Sequence, residues 1–140
     1  MSKIKAKKLN MSQHFLEDGV VVPFTWVDIL ENLSIKEGDL LNITGISKGK
    51  GFAGVIKKHG FSRGPKTHGA SDRERSPGSI GSATEVSRVL KGKKMAGRHG
   101  NKTVTLKKRQ VLLVDSSKVA VSGPLPGSYG SILRIELVAK

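Results

Sequence analysis

Two glycine-spaced stretches have the look of phosphate-binding turns. GKGFAG, residues 49–54, carries the G-x-G-x-x-G spacing of a dinucleotide-binding loop. It follows a strand-like run, DLLNITGIS, and Asp72 and Glu74 stand about where a ribose-binding carboxylate would. That chemistry requires the third glycine to open a helix whose N-terminus faces the pyrophosphate. The residues that follow are VIKKHGFSRGPKTHG, in which Gly60, Gly64 and Pro65 leave only a few positions for a helix. No second strand follows at βαβ spacing. GKKMAGRH, residues 92–99, approaches the phosphate loop G-x-x-x-x-G-K-[ST]. Arg98 replaces its lysine and His99 its magnesium-binding hydroxyl, so both groups on which the motif depends are missing. A nucleotide-cofactor enzyme is the weakest of the readings considered, and no cofactor and no catalytic residue are assigned.

The remaining reactive side chains do not assemble into a site either. His14, His59, His68 and His99 lack metal-ligand spacing and cysteine is absent, so no metal site, disulfide or thiol nucleophile is expected. Histidines set among Arg and Gly suit phosphate hydrogen bonding or base stacking better. Asp72 and Glu74 flank Arg73 and precede Arg75, and read as local charge partners that hold the arginines, not as an acid–base pair.

The basic residues are the stronger signal. The 140-residue chain has 25 Lys and Arg against 11 Asp and Glu, a formal charge of +14 and a pI near 10.3. Ser47 to Arg109 holds 17 of the basic residues and three acids, so the whole excess sits there, with 11 of the 17 glycines. A concentration of charge of that kind points to a polyanionic partner, above all nucleic acid. Phe52, Val55, Ile56, Phe61, Ile80, Val89, Leu90 and Met95 are spaced through the segment as apolar anchors. Lys and Arg neutralise phosphates, glycine lets backbone approach RNA, and anchors fill minor-groove or loop surfaces. Taken alone the segment has too little apolar content to fold and is expected to order on binding. Its one helical hint is SATEVSRVL, residues 82–90, where Ser82 and Glu85 have capping-box spacing and Gly92 is a stop.

The elements that must carry this segment lie on either side of it. VVVPFTWVDIL is β-branched and aromatic, with Pro23 restricting its early part to an edge or bend. IKEGD is a turn and LLNITGI a strand. RQVLLVD and KVAVSG are strands joined by DSSK, and PLPGSYG is a loop. SILRIELV alternates, with Leu133, Ile135 and Leu137 on one face and Arg134 and Glu136 on the other. The fold class is therefore mainly β, a small barrel interrupted by a long basic, glycine-rich loop. The N-terminus lacks the apolar run of a signal peptide and no window approaches a membrane span, so no membrane partner is expected.

These blocks also resemble a known family. SKGKGFAGVIKKHGF, THG, PGSIGS, RVLKGKKMAGRHGN and LPGSYG occur in the order and spacing of the universal large-subunit ribosomal protein L3 family, bacterial or organellar type. The N-terminal KKLNMSQHFLEDGVVVPFTWV is similar to the family's opening strand pair. The resemblance implies a translation-protein-type β-barrel body at 1–46 and 103–140 and an internal extension at 47–102, with its tip near Arg73 to Ser82. It implies a non-enzymatic constituent of the large subunit. Such a protein binds large-subunit rRNA and neighbouring ribosomal proteins, supports assembly, and sends its loop toward the peptidyl-transferase region. It implies a cytoplasmic, ribosome-bound location, with an organellar ribosome as the other setting, and no small-molecule substrate. A non-ribosomal cationic RNA chaperone is the alternative class.

The departures from the family pattern are specific. Several dozen family residues between the first strand pair and KEGD are bridged here by VDILENLSIKEGD, which implies a reduced barrel or one whose surface a neighbour completes. Asn10 replaces Gly, His59-Gly60 replace Trp-Asn, and Glu85-Val86-Ser87 replace Thr-Pro-Gly. Ser82 occupies the place of a glutamine that some members methylate. The residues expected on rRNA are Lys48, Lys50, Lys57, Lys58, Arg63, Lys66, His68, Arg73, Arg75, Ser79, Arg88, Lys91, Lys93, Lys94, Arg98, His99 and Lys102. Close backbone approach is assigned to Gly49, Gly51, Gly54, Gly78, Gly81, Gly92 and Gly97.

Overall fold

Alternation of apolar and polar side chains shapes the strands. In Ile4–Phe15 (β1), Ile4, Ala6 and Lys8 point inward and Lys5 and Lys7 outward. In Leu40–Ile46 (β3), Leu41, Ile43 and Gly45 are buried. In Ile132–Leu137 (β8), Leu133 and Ile135 are buried while Arg134 is exposed, as the period of two predicts. The computed structural model describes residues 3–31, 34–82 and 86–138. Within them the chain divides into two compact units, 1–48 with 101–140, and 49–100.

The first unit is a closed antiparallel barrel. Val21–Ile29 (β2), Thr103–Asp115 (β6) and Lys118–Ser122 (β7) complete it in the order β1-β2-β7-β6-β3-β8, with β8 returning to β1. Six strands close despite the short β2–β3 connection. Closure is helped by register breaks at Lys8/Met11, Leu41/Ile43 and Val111/Leu113, bulges that add local bend and twist. The core comprises Ala6, Val27, Leu41, Ile43, Val111, Val119, Val121, Leu133 and Ile135 with Ile35 and Leu125.

Pro23 pairs with Gln13 of β1, but the β2–β7 ladder begins only at Phe24, so the missing N–H falls outside the two-sided part of the strand. The beginning of that hairpin therefore stands as a two-stranded ribbon, with Met11, Phe15, Leu16, Val20 and Val21 exposed. DSSK makes a two-residue loop, Asp115 facing Lys118. β6 starts at Thr103, six residues before the RQVLLVD run, because TVTLKK is also strand.

The second unit has little regular structure. It holds Phe52–Ala53 (β4) paired with Gly97–Arg98 (β5), one helical turn at Val55–His59 (α1), and 3₁₀ turns at His68–Ala70 and Arg73–Arg75. The helix expected over 82–90 falls partly on residues 83–85, outside the described ones. Ser82 and residues 86–90 carry no helix.

Candidate nucleic-acid interface

The two phosphate-loop look-alikes are the two strands of one ribbon. Phe52, inside GKGFAG, faces Arg98, inside GKKMAGRH, and Ala53 faces Gly97. The ribbon continues as Lys50 N–H donates to His99 O (2.9 Å) and His99 N–H to Gly51 O (2.9 Å). Lys50 and Gly51 thus share one opposing residue, a bulge-like step that Gly51 accommodates with a φ of +67°. α1 follows Gly54 but is five residues long and ends at left-handed Gly60, whose N–H bonds Ile56 O (2.9 Å). A single turn has little summed dipole and cannot serve as a pyrophosphate-binding helix. GKKMAGRH leads into a strand, not the helix a phosphate loop needs.

The expected contact residues are almost all displayed. Lys48, Lys50, Lys57, Arg63, Lys66, His68, Arg73, Arg75, Ser79, Arg88, Lys91, Lys93, Lys94, Arg98 and Lys102 are exposed, while Lys58 and His99 are half-buried. Lys58 is held in because its Nζ lies over Gly97, where an added Cβ would approach it to 2.9 Å. Ser79 Oγ is used locally, donating to Gly81 O (3.2 Å). Nothing lies within 4 Å of a Cβ built on Gly51, Gly54, Gly78 or Gly92, and Gly81 has only Arg88 O at 3.9 Å, so packing within the chain does not demand these glycines.

Neutralisation inside the segment is sparse. Among the described residues its one ion pair is Arg63 Nη1 to Glu74 Oε1 at 3.8 Å, beside a backbone bond from Gly64 N–H to Glu74 O (2.8 Å). Glu74 therefore serves Arg63, not the flanking Arg73 and Arg75 as the sequence suggested. His59 has an internal job: its Nε2 bonds Met95 O (3.0 Å), tying α1 to the approach to β5. No group of His, Cys, Asp and Glu able to hold a metal occurs among the described residues. Of the anchors only Val55 is buried; Ala53, two residues earlier, is buried as well. Phe52, Ile80, Val89, Leu90 and Met95 are exposed, and Ile56 and Phe61 half-buried.

The insert is closed at its base within the barrel unit. Ser47 N–H donates to Lys102 O (2.9 Å), Asn101 N–H to Ser47 O (3.1 Å), and Ser47 Oγ both donates to Lys102 O (3.1 Å) and accepts from Lys102 N–H (3.2 Å). The sequence of the family model described as ribosomal protein L3 matches residues 4–123, across barrel and insert alike. The chain belongs to the ribosomal protein L3 family. It is similar to the large ribosomal subunit protein uL3 of Chlorobium limicola, 38% identical over 152 residues covering 96% of this chain and 73% of the relative. The uL3 protein of Chlorobaculum tepidum is 44% identical over 127 residues, 89% and 57% of the two chains. That of Chlorobium phaeovibrioides is 49% identical over 104 residues, 73% and 50%. The chain thus spans about half to three quarters of the length of these L3-family relatives.

Sequence reasoning missed cations on the barrel wall of this L3-family chain. Lys5 sits directly opposite Arg134 in the β1–β8 ladder, and Lys7 opposite exposed Ile132. Like charges in facing positions repel. The clue was the period-two Lys3, Lys5, Lys7 run, hidden by the neutral sum of the flanks.

Proposed function

We propose that this chain is a non-catalytic structural constituent of the large ribosomal subunit that binds large-subunit rRNA through residues 47–102. The barrel of 1–46 and 103–140 anchors that loop, which supports subunit assembly and reaches toward the peptidyl-transferase region among neighbouring ribosomal proteins. The observation that carries the reading is the display of nearly every cation of the insert, with a single internal ion pair among the described residues. Ordering a backbone costs ~1–2 kcal/mol per residue, and two buried apolar side chains, Ala53 and Val55, do little to offset it. A polyanion supplies what the segment lacks, and the matching uL3 relatives are named as proteins of the large subunit. The location that follows is ribosome-bound.

Sedimentation of extract containing a tagged copy tests this. The chain should remain with mature large subunits, one per particle, after a high-salt wash. Recovery only in the light fractions would contradict the proposal and favour a free RNA chaperone.

A further inference from the structure

The β4–β5 ribbon has two unlike faces. Ala53 and Gly97 form one, with Ala53 buried and the Lys58 chain lying over Gly97. Phe52 and Arg98, directly opposite each other, form the other, and both are exposed. Phe52 is 77% exposed, more than any other large apolar residue described. It is also held in place: the register pairs it, and the bonds linking Lys50, Gly51 and His99 fix the strand just before it. By contrast Phe61 is half-buried, its ring 6.1 Å from that of His59.

We propose that Phe52 is a base-stacking residue, and that the outer face of the ribbon takes an unpaired RNA nucleotide, its base on the ring and its phosphate on Arg98. This rests on the rRNA-binding reading and names what this part of the site selects. A bare phenyl ring beside a guanidinium has no use for a duplex backbone, which cations alone neutralise. A splayed-out base offers a π-face to the ring and a phosphate to the cation. The unit's surplus of exposed Lys and Arg makes an anionic occupant the complementary one. An apolar pocket on another protein would also accept the ring, but would leave Arg98 without a partner.

The test uses the full chain and two fluorescent probes, a 12-nucleotide oligouridine and a 12-base-pair RNA duplex, in anisotropy titrations. Phe52→Leu keeps apolar bulk and removes the π-face. It should weaken oligouridine binding about tenfold and leave duplex binding within about twofold, with the salt dependence unchanged because no charge is lost. Phe52→Trp should keep the wild-type affinity, and its emission, corrected for Trp26, should be quenched by oligouridine. Unaltered binding of both probes by Phe52→Leu, or an equal loss on both, would overturn the stacking role while leaving RNA binding intact. Failure of the wild type to bind either probe would overturn the RNA reading as well.

Discussion

At the residue scale, a few side chains and one missing side chain hold the barrel's loop of 124–130 in place. Lys8 is an inward-facing lysine whose Nζ donates to Leu125 O (2.7 Å) and Gly127 O (2.8 Å). Burial, and secondarily the charge of Lys48, pulls its pKa below 10.5. The sign follows: below the folded pKa the charge is less welcome in the folded chain than in the unfolded one. As pH rises from there toward 10.5, the folded state sheds the proton first and gains stability. The neutral amine still has two N–H groups for the two carbonyls. Lys8→Met removes those donors and should destabilise by about 1–3 kcal/mol, and the wild type's advantage in urea unfolding should widen as pH rises toward 10.5. A narrowing would contradict this. At Gly45, a Cβ would lie 2.6 Å from Leu133 Cδ2 and 2.9 Å from Pro126 Cγ. Leu133 is fully buried and the proline ring is rigid, so Gly45→Ala should cost about 1–3 kcal/mol by overpacking. An unchanged urea midpoint would show that the loop yields freely.

At the element scale, the β6–β7 hairpin turns through Ser116 and Ser117, and Ser116 adopts a φ of +46°. A left-handed residue bearing a Cβ is strained by about 1–2 kcal/mol. Ser116→Gly should therefore raise stability by about 0.5–1 kcal/mol after the greater freedom of glycine in the unfolded chain is set against it, read as a higher urea midpoint at unchanged slope. Strands with one apolar face were the most legible elements. LLNITGI, KVAVSG and SILRIELV stood out because one face is apolar and the chain stays short between turns, and all three are strands. The first half of β6 did not, since Lys107 and Lys108 belong by charge to the basic window although they lie in a barrel strand. β4 and β5 are two residues each, shorter than any periodicity can register. That GKGFAG and GKKMAGRH pair with each other is a long-range fact that neither motif carries alone. The same holds for Lys8, whose partners are over a hundred residues away. Glu74 was read as the partner of its neighbours, yet a 3₁₀ turn directs it to Arg63.

At the scale of the whole molecule, two kinds of chain are joined. One closes six strands around a core of aliphatic side chains. The other turns its cations and most of its apolar anchors outward. The join is clamped by Ser47 against Asn101 and Lys102, so an insert of this composition leaves the barrel ladder unbroken. In the proposed function the cations of 47–102 neutralise RNA phosphates. A salt titration of full-length chain binding to large-subunit rRNA tests it most directly. With roughly ten phosphates neutralised at ~0.9 log units each, log K should fall against log salt with a slope of about −9, and Lys91, Lys93 and Lys94 all changed to Gln should make it shallower by about 2–3. A slope near zero, or one the triple change leaves untouched, would contradict the claim.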